Sequence, residues 1–354
     1  MLGQAIFSDE SLSASGRMSC ATCHDPSIGH ASPFAEPVAF GGVNFPVDRS
    51  SAASGLRLPP AIRYLKFNGP FKFETDGTPV GGFFWDGRVN TLAEQALKPF
   101  LGANEMANAS AQEVVDKLSR ASYVSQFKQV FGANILNDPE AALNRMAFAL
   151  ERYQQEDSEF APFSSKFDAV NAGRATFTAS EMRGLVWFNR RDKGNCAACH
   201  PSTAPANAPA ALFTDFTYDS LGVPRNRSIA FNVGGGYDMG LCGPVRTDVT
   251  ARVDLCGRFK VPSLRNVALR KRFFHNGAFD NLQDVVRFYV TRDLTPQVWY
   301  PSDAYDDLPS HLRGNVNVTE GPYNRLPGQA AALTPSEIDD LVAFLRTLSD
   351  GYTP

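Results

Sequence analysis

A mostly α-helical fold in two similar halves with long loops is what the 354-residue sequence predicts. Three observations carry that expectation. The pentapeptide Cys20-Ala-Thr-Cys23-His24 returns as Cys196-Ala-Ala-Cys199-His200. A similar segment precedes each copy, Gly3-x-x-x-Phe7 before the first and Gly184-x-x-x-Phe188 before the second. Helix-start signals recur along the chain, whereas alternating strand patterns are sparse.

The pentapeptides come first, because they predict cofactors. C-x-x-C-H is the attachment signature of c-type haem. Two thiols on one helical turn reach the two vinyl groups, and the adjacent His reaches the iron. Zinc would want four clustered ligands, usually in paired knuckles, which neither copy offers. We therefore expect two covalently bound haem c groups, on Cys20 and Cys23 and on Cys196 and Cys199, with His24 and His200 as proximal iron ligands. Two cytochrome c-like haem domains follow, residues 1–164 and 165–354, with the join near Phe160–Phe167.

The helices announce themselves by their starts. Thr91-x-x-Glu94, Ser110-x-x-Glu113 and Thr178-x-x-Glu181 are capping boxes, in which side chains satisfy orphan backbone donors. Thr334, Pro335 and Glu337 open a last helix over 334–350, whose Ile338, Leu341, Val342, Leu345 and Leu348 share one face. That helix is expected to pack back on the first domain. With 28 Gly and 24 Pro, the remainder reads as loop, notably 27–60 and 201–250. Such loops suit a fold in which a large cofactor supplies part of the core.

Composition excludes several function classes. Apolar residues make up 43% and charged residues 20%, as in a globular protein with real cores. Net charge is −3 and no Lys/Arg run occurs, which argues against a nucleic-acid partner. No apolar stretch approaches the ~18 residues of a membrane-spanning helix. No leader is visible before Met1-Leu2-Gly3-Gln4, so a trimmed leader and an added start Met are expected. Haem attachment of this kind occurs outside the reducing cytosol, which points to the periplasm. There Cys242 and Cys256, in a turn-rich stretch, are permitted a disulfide, the alternative being two free buried thiols.

Function depends on the sixth iron ligands. An electron wire needs both irons closed; a peroxidase needs one open face with acid–base groups above it. The histidines are His24, His30, His200, His275 and His311. Two are spent as proximal ligands. His30 is tethered six residues past His24, too short to cross the haem easily. His275, in Arg272-Phe-Phe-His275-Asn-Gly, is structural or lines a pocket.

Here a resemblance enters. Phe84-Trp85-Asp86-Gly87-Arg88, Leu92-x-x-Gln95-x-x-x-Pro99, Asn104-Glu105-Met106, Phe259-Lys-Val-Pro262-Ser-Leu-Arg-Asn266 and Phe274-His-Asn-Gly277 occur in order over nearly the whole chain. Together they resemble the bacterial di-haem cytochrome c peroxidase and MauG superfamily. That resemblance implies peroxide as oxidant. It implies that Tyr289 ligates the second iron, where the superfamily's peroxidases carry Met. It leaves the first haem open, since no His lies between His30 and Trp85. Glu105 is implied to move a proton between the peroxide oxygens, Gln95 to orient peroxide, Pro99 to pack above the iron, and Trp85 to relay electrons between haems. Arg88 suits a haem propionate.

Two departures accompany the match. The superfamily's calcium site uses an Asn side chain where this chain reads Arg57-Leu58-Pro59-Pro60, leaving backbone carbonyls of Lys260 and Pro262 as candidate ligands. The surface Trp that MauG proteins place before the second haem motif is Gly194 here. Other segments, such as Tyr237-Asp-Met-Gly and Trp299-Tyr-Pro301, look like the MbnH-like branch, which oxidises tryptophan on a small periplasmic partner. The implied function is a high-valent two-haem oxidase acting on a partner protein. The alternatives are a hydrogen peroxide-reducing peroxidase fed by a small donor, and a non-enzymatic electron-transfer cytochrome.

Overall fold

The computed structural model describes residues 1–36, 38–45 and 54–353, so part of the 27–60 loop lies outside the described residues. Helices dominate, those used below being α1 (Leu2–Ser8), α2 (Leu92–Leu101), α3 (Ala111–Leu118), α4 (Pro139–Glu156), α5 (Ala179–Asn189), α6 (Leu282–Thr291) and α7 (Pro335–Arg346), among further helices such as Val124–Phe131 and shorter turns. Strands are confined to two-residue pairs, Lys72–Phe73 with Pro79–Val80 and Tyr218–Asp219 with Phe259–Lys260, both antiparallel.

Two of the three predicted capping boxes form in full, and the Ser110 box forms by half, its Glu113 carboxylate accepting from the Ala109 N–H instead. Thr91 Oγ1 accepts from the Glu94 N–H while a Glu94 carboxylate oxygen accepts from the Thr91 N–H. Thr178 with Glu181 and Thr334 with Glu337 do the same. Ser110 accepts from the Glu113 N–H. These bonds satisfy donors that the first turn of a helix leaves orphaned.

The Gly-x-x-x-Phe repeat has a packing cause. A Cβ on Gly3 would come within 2.1 Å of the Ala149 carbonyl oxygen on α4, and one on Gly184 within 2.0 Å of the Asp340 carbonyl oxygen on α7. Each helix crosses its partner backbone to backbone at that point, which only glycine permits. Phe7 then meets Tyr153 and Phe160 edge-on, and Phe188 meets Phe213 and Phe344 in the same way.

Two separate apolar cores result. One gathers Phe7, Phe100, Val114, Phe127, Met146 and Leu150; the other gathers Phe188, Phe213, Val286, Leu341 and Phe344. The last helix, α7, buries its face in this second core against α5 and α6 rather than returning to the first half. Its apolar stripe matches the Gly184 crossing, which holds it there. The contact with the first half is made just beyond it, where Asp350 accepts from the Tyr64 hydroxyl at 2.7 Å and pairs with Arg63.

A second repeat appears in the backbone. Phe83 bridges Val89, and Phe273 bridges Phe279. Between them Phe84 and Gly87 both have φ of 66°, and Phe274 and Gly277 have 65° and 59°. The identical left-handed turns place Phe83-Phe84-Trp85-Asp86-Gly87 and Phe273-Phe274-His275-Asn276-Gly277 as equivalents. The helices that follow correspond too, so Gln95 matches Val285 and Pro99 matches Tyr289.

Cys242 and Cys256 form a disulfide with their Cα atoms 4.9 Å apart. The bridge closes a loop whose entropy is worth roughly 3 kcal/mol in the chain-entropy model. Reductant should therefore lower the unfolding midpoint of the wild-type protein. Mass analysis should find these two thiols protected from alkylation until reduction; labelling without reduction would contradict the bridge.

Candidate haem sites

Two cavities flank the boundary between the halves. The first is lined by Cys20, Cys23, His24, Phe7, Gln95, Pro99 and Glu105, the second by Cys196, Cys199, His200, Phe188, Val285 and Tyr289. The pentapeptides lie on single turns, Cys20–Cys23 α-helical and Cys196–Ala198 of the tighter 3-10 type. All four thiols are unpaired, and burial pushes each up to about 12.

The imidazoles of both pentapeptides are held neutral. Burial pushes His24 and His200 down to about 4, against the opposing pull of backbone carbonyls. His200 Nδ1 lies 2.8 Å from the Phe213 carbonyl oxygen. That bond commits the Nδ1 proton and leaves the Nε2 lone pair free for a metal. A cavity carrying two thiols on one turn, a neutral His with a free Nε2 and an apolar wall fits haem c. Cys20, Cys23 and His24 would hold the first haem, and Cys196, Cys199 and His200 the second.

The walls facing these imidazoles differ. Over the first, α2 carries Gln95 and Pro99 one turn apart. A proline inside a helix has no N–H to give to the carbonyl four residues back, so the Gln95 carbonyl lacks its usual partner at the cavity wall. Past the helix end, the Glu105 N–H reaches the Gly102 carbonyl and the Glu105 carbonyl accepts from the Gly42 N–H at 2.9 Å. Burial raises the Glu105 carboxyl above its ordinary range, with Arg88 opposing. A carboxyl of raised pKa, beside a cavity, is suited to passing protons. Arg88 lies over the Phe84 ring at 3.5 Å and pairs with Asp86 at 2.9 Å, while lining the same cavity.

Over the second imidazole, Leu282, Val285, Val286 and Tyr289 of α6 replace the polar set. Burial holds the Tyr289 phenol well above its ordinary pKa. Tyr64, Tyr218, Tyr300 and Tyr323 all place their hydroxyls on protein acceptors. The Tyr289 hydroxyl has no protein hydrogen-bond partner among the described residues, and its side chain lines the second cavity. The two cavities also differ in room, about 440 Å³ for the first against about 170 Å³ for the second.

Trp85 is the residue common to both walls among the described residues. It is 6% exposed. Its Nε1 donates to the Leu58 carbonyl at 2.7 Å, and its own carbonyl accepts from the Lys260 N–H at 2.9 Å. One half thus fixes the ring and the other fixes the backbone. His275, its counterpart in the second repeat, stacks on Phe259 at 3.5 Å and bonds Asp307 at 3.2 Å. His30 does not line the first cavity; its Nδ1 accepts from Arg63 Nε at 3.2 Å and its ring lies 4.3 Å from Phe160.

The sequence did not single out the charged set around Trp85. Arg57 reaches Asp86 at 2.6 Å and Asp238 at 2.6 Å, clasping the halves together. Burial works against the Arg57 charge, but Asp238 and then Asp86 hold its pKa up. Arg246 Nη1 donates to the Asp86 carbonyl at 2.9 Å. Buried Lys260 donates from Nζ to the Gly82 carbonyl, and burial pushes it down to about 7, with Asp86 opposing. Of the two residues named for calcium, Lys260 donates its backbone N–H to the Trp85 carbonyl and Pro262 lines the second cavity. Among the described residues no group of three or more His, Cys, Asp or Glu side chains could hold a metal ion. Likewise, no described helix is long and apolar enough to cross a membrane.

Comparison with known proteins agrees with this architecture. The family model described as di-haem cytochrome c peroxidase matches residues 1–176. The chain is 34% identical to methylamine utilization protein MauG of Paracoccus denitrificans, over 99% of this chain and 88% of that one. It is 28% identical to cytochrome c551 peroxidase of Nitrosomonas europaea, over 80% and 70% of the two chains. The crystal structure of the diheme peroxidase BthA from Burkholderia thailandensis superimposes with a TM-score of 0.90 at 41% identity, covering 99% of this chain and 85% of that one. With the paired haem motifs, the shared Trp85 wall and these matches, the chain belongs to the di-haem cytochrome c peroxidase and MauG family of peroxide-using oxidoreductases.

Proposed function

We propose that this chain is a MauG-type oxidase, in which hydrogen peroxide is reduced at the first site and a side chain of a periplasmic partner protein, tryptophan by preference, supplies the two electrons. The observation that carries this reading is the asymmetry of equivalent positions, Gln95 and Pro99 against Val285 and Tyr289. Haem iron supplies the redox chemistry when bound. Everything else falls to the chain. Gln95 would orient peroxide, Pro99 would pack above the iron, and Glu105 would carry a proton from one peroxide oxygen to the other as the O–O bond breaks, so that one oxygen leaves as water and the other becomes water with the partner's two electrons and two protons. Trp85, lining both cavities, lets the two oxidising equivalents be shared. Tyr289, whose hydroxyl has no protein partner among the described residues, would hold the second haem as an anionic ligand. A phenolate there lowers the potential of that haem, whereas Met ligation would raise it.

Resting-state EPR tests the asymmetry. One high-spin and one low-spin ferric signal are expected. Two low-spin signals would remove the open first site. In Tyr289→Phe the low-spin signal should vanish or change; an unaltered low-spin spectrum would remove the ligand.

The similarity to cytochrome c551 peroxidase favours a second reading, a peroxidase fed by a small redox donor. Turnover with a reduced cytochrome faster than oxidation of any protein substrate would select it.

A further inference from the structure

Several buried arginines in this protein come with carboxylates. Arg57 faces Asp86 and Asp238, Arg246 faces Asp248, Arg265 faces Asp168 and Arg292 faces Asp293. Arg270 has none and, unlike Arg258 and Arg325, whose Nε atoms are also buried without a partner, it lines the second cavity. It makes one hydrogen bond, from Nη2 to the Ser263 carbonyl at 3.0 Å. Its Nε is buried with no partner, and no carboxylate pairs with it among the described residues. Burial alone pushes it down to about 10. A guanidinium left so is costly, because burying a charge demands a counter-charge.

Its position says where that counter-charge comes from. Arg270 lines the second cavity, and also a narrow space of about 50 Å³ bounded by Pro60, Trp85, Lys260 and Pro262. It lines a third small space with Leu58, Pro59 and Trp85. It is close enough to His200 for its charge to act on that imidazole. So an unpaired fork of donors stands in the wall between the two sites, beside the proximal ligand of one and the tryptophan common to both. The carboxylates that haem brings with it are its two propionates. A planar guanidinium matches a carboxylate bidentately.

We propose that Arg270 is the anchor for a propionate of the second haem, fixing that haem's rim against Trp85 and contributing a positive charge that raises its potential. This rests on haem binding at Cys196, Cys199 and His200, and not on the peroxide chemistry. The positive charge partly offsets the effect of an anionic ligand at Tyr289.

The test uses the holoprotein, with two readouts independent of turnover: the haem-propionate vibrations in resonance Raman spectra and the midpoint potentials of both haems. Arg270→Gln should shift a propionate band and move the second haem's midpoint to more negative potential, by more than it moves the first. Arg270→Lys, which keeps the charge and loses the fork, should restore most of the potential but not the band. Arg270→Gln with both the band and the second midpoint unchanged overturns the proposal. Should Arg270→Gln yield no holoprotein, an unchanged propionate band in Arg270→Lys overturns it equally. Failure of the open-site reading would show in EPR and leave these two readouts untouched, so the two failures can be told apart.

Discussion

Replacing Glu105 by Gln is expected to slow the reaction of the resting protein with hydrogen peroxide by about 10²–10⁴-fold, the usual worth of a positioned acid–base group. The amide keeps the shape and the contacts that Gly102 and Gly42 make with the backbone of residue 105, so haem attachment and resting spectra should survive. Stopped-flow mixing with peroxide measures the effect; a loss under about threefold would dismiss the residue from the chemistry. The pH profile sharpens the test. Burial raises the Glu105 pKa. The group must be anionic to take the first proton, so the wild-type rate should fall as pH drops through a pKa above the ordinary carboxylate range. The variant should lack that step. Stability runs the other way. A raised folded pKa means that the folded state binds the proton more tightly, so wild-type stability falls as pH rises from the ordinary carboxylate pKa to the raised one.

Arg57→Ala is expected to destabilise the holoprotein by about 3–5 kcal/mol, because removing one member of a buried ionic set strands the others. Asp86 is fully buried and would keep Arg88 as its side-chain partner at 2.9 Å, while Asp238 would lose the fork that Arg57 offers it. The clasp joins residues from the two halves, so the loss should appear as weaker coupling between them in denaturant unfolding. A drop below about 1 kcal/mol would show that the clasp contributes little. Arg57→Lys, retaining charge without the bidentate geometry, should fall between the two.

The sequence made some of this plain and hid the rest. The haem motifs were legible because covalent attachment demands a fixed spacing of three residue types. Gly3 and Gly184 were legible as a repeat, though the close helix crossing behind it was not. The left-handed turns at Phe84 and Phe274 stood in the sequence as Phe-Phe-Trp-Asp-Gly and Phe-Phe-His-Asn-Gly. Aligning those two segments would have set Pro99 opposite Tyr289 without any outside comparison. The buried roles of the Arg57, Lys260 and Arg270 side chains were invisible for a physical reason. The partners of Arg57 and Lys260 come from distant parts of the chain, and an arginine destined for burial looks locally like any solvated one. The last helix was misplaced because an apolar stripe says that a face is buried, not against which core.

The disulfide loop has a consequence for how the molecule comes into being. Val245 and Arg246 sit inside the Cys242–Cys256 loop of the second half, yet Val245 lines the first cavity and Arg246 holds Asp86. Lys260, later still, holds the backbone of Trp85. A polypeptide synthesised from its N-terminus presents Cys20-Ala-Thr-Cys23-His24 long before these residues exist. The earliest attachment motif therefore belongs to a chamber that is among the last to be walled. A fragment ending ahead of residue 245 would lack both Val245 from the wall of the first cavity and the hold of Arg246 on Asp86.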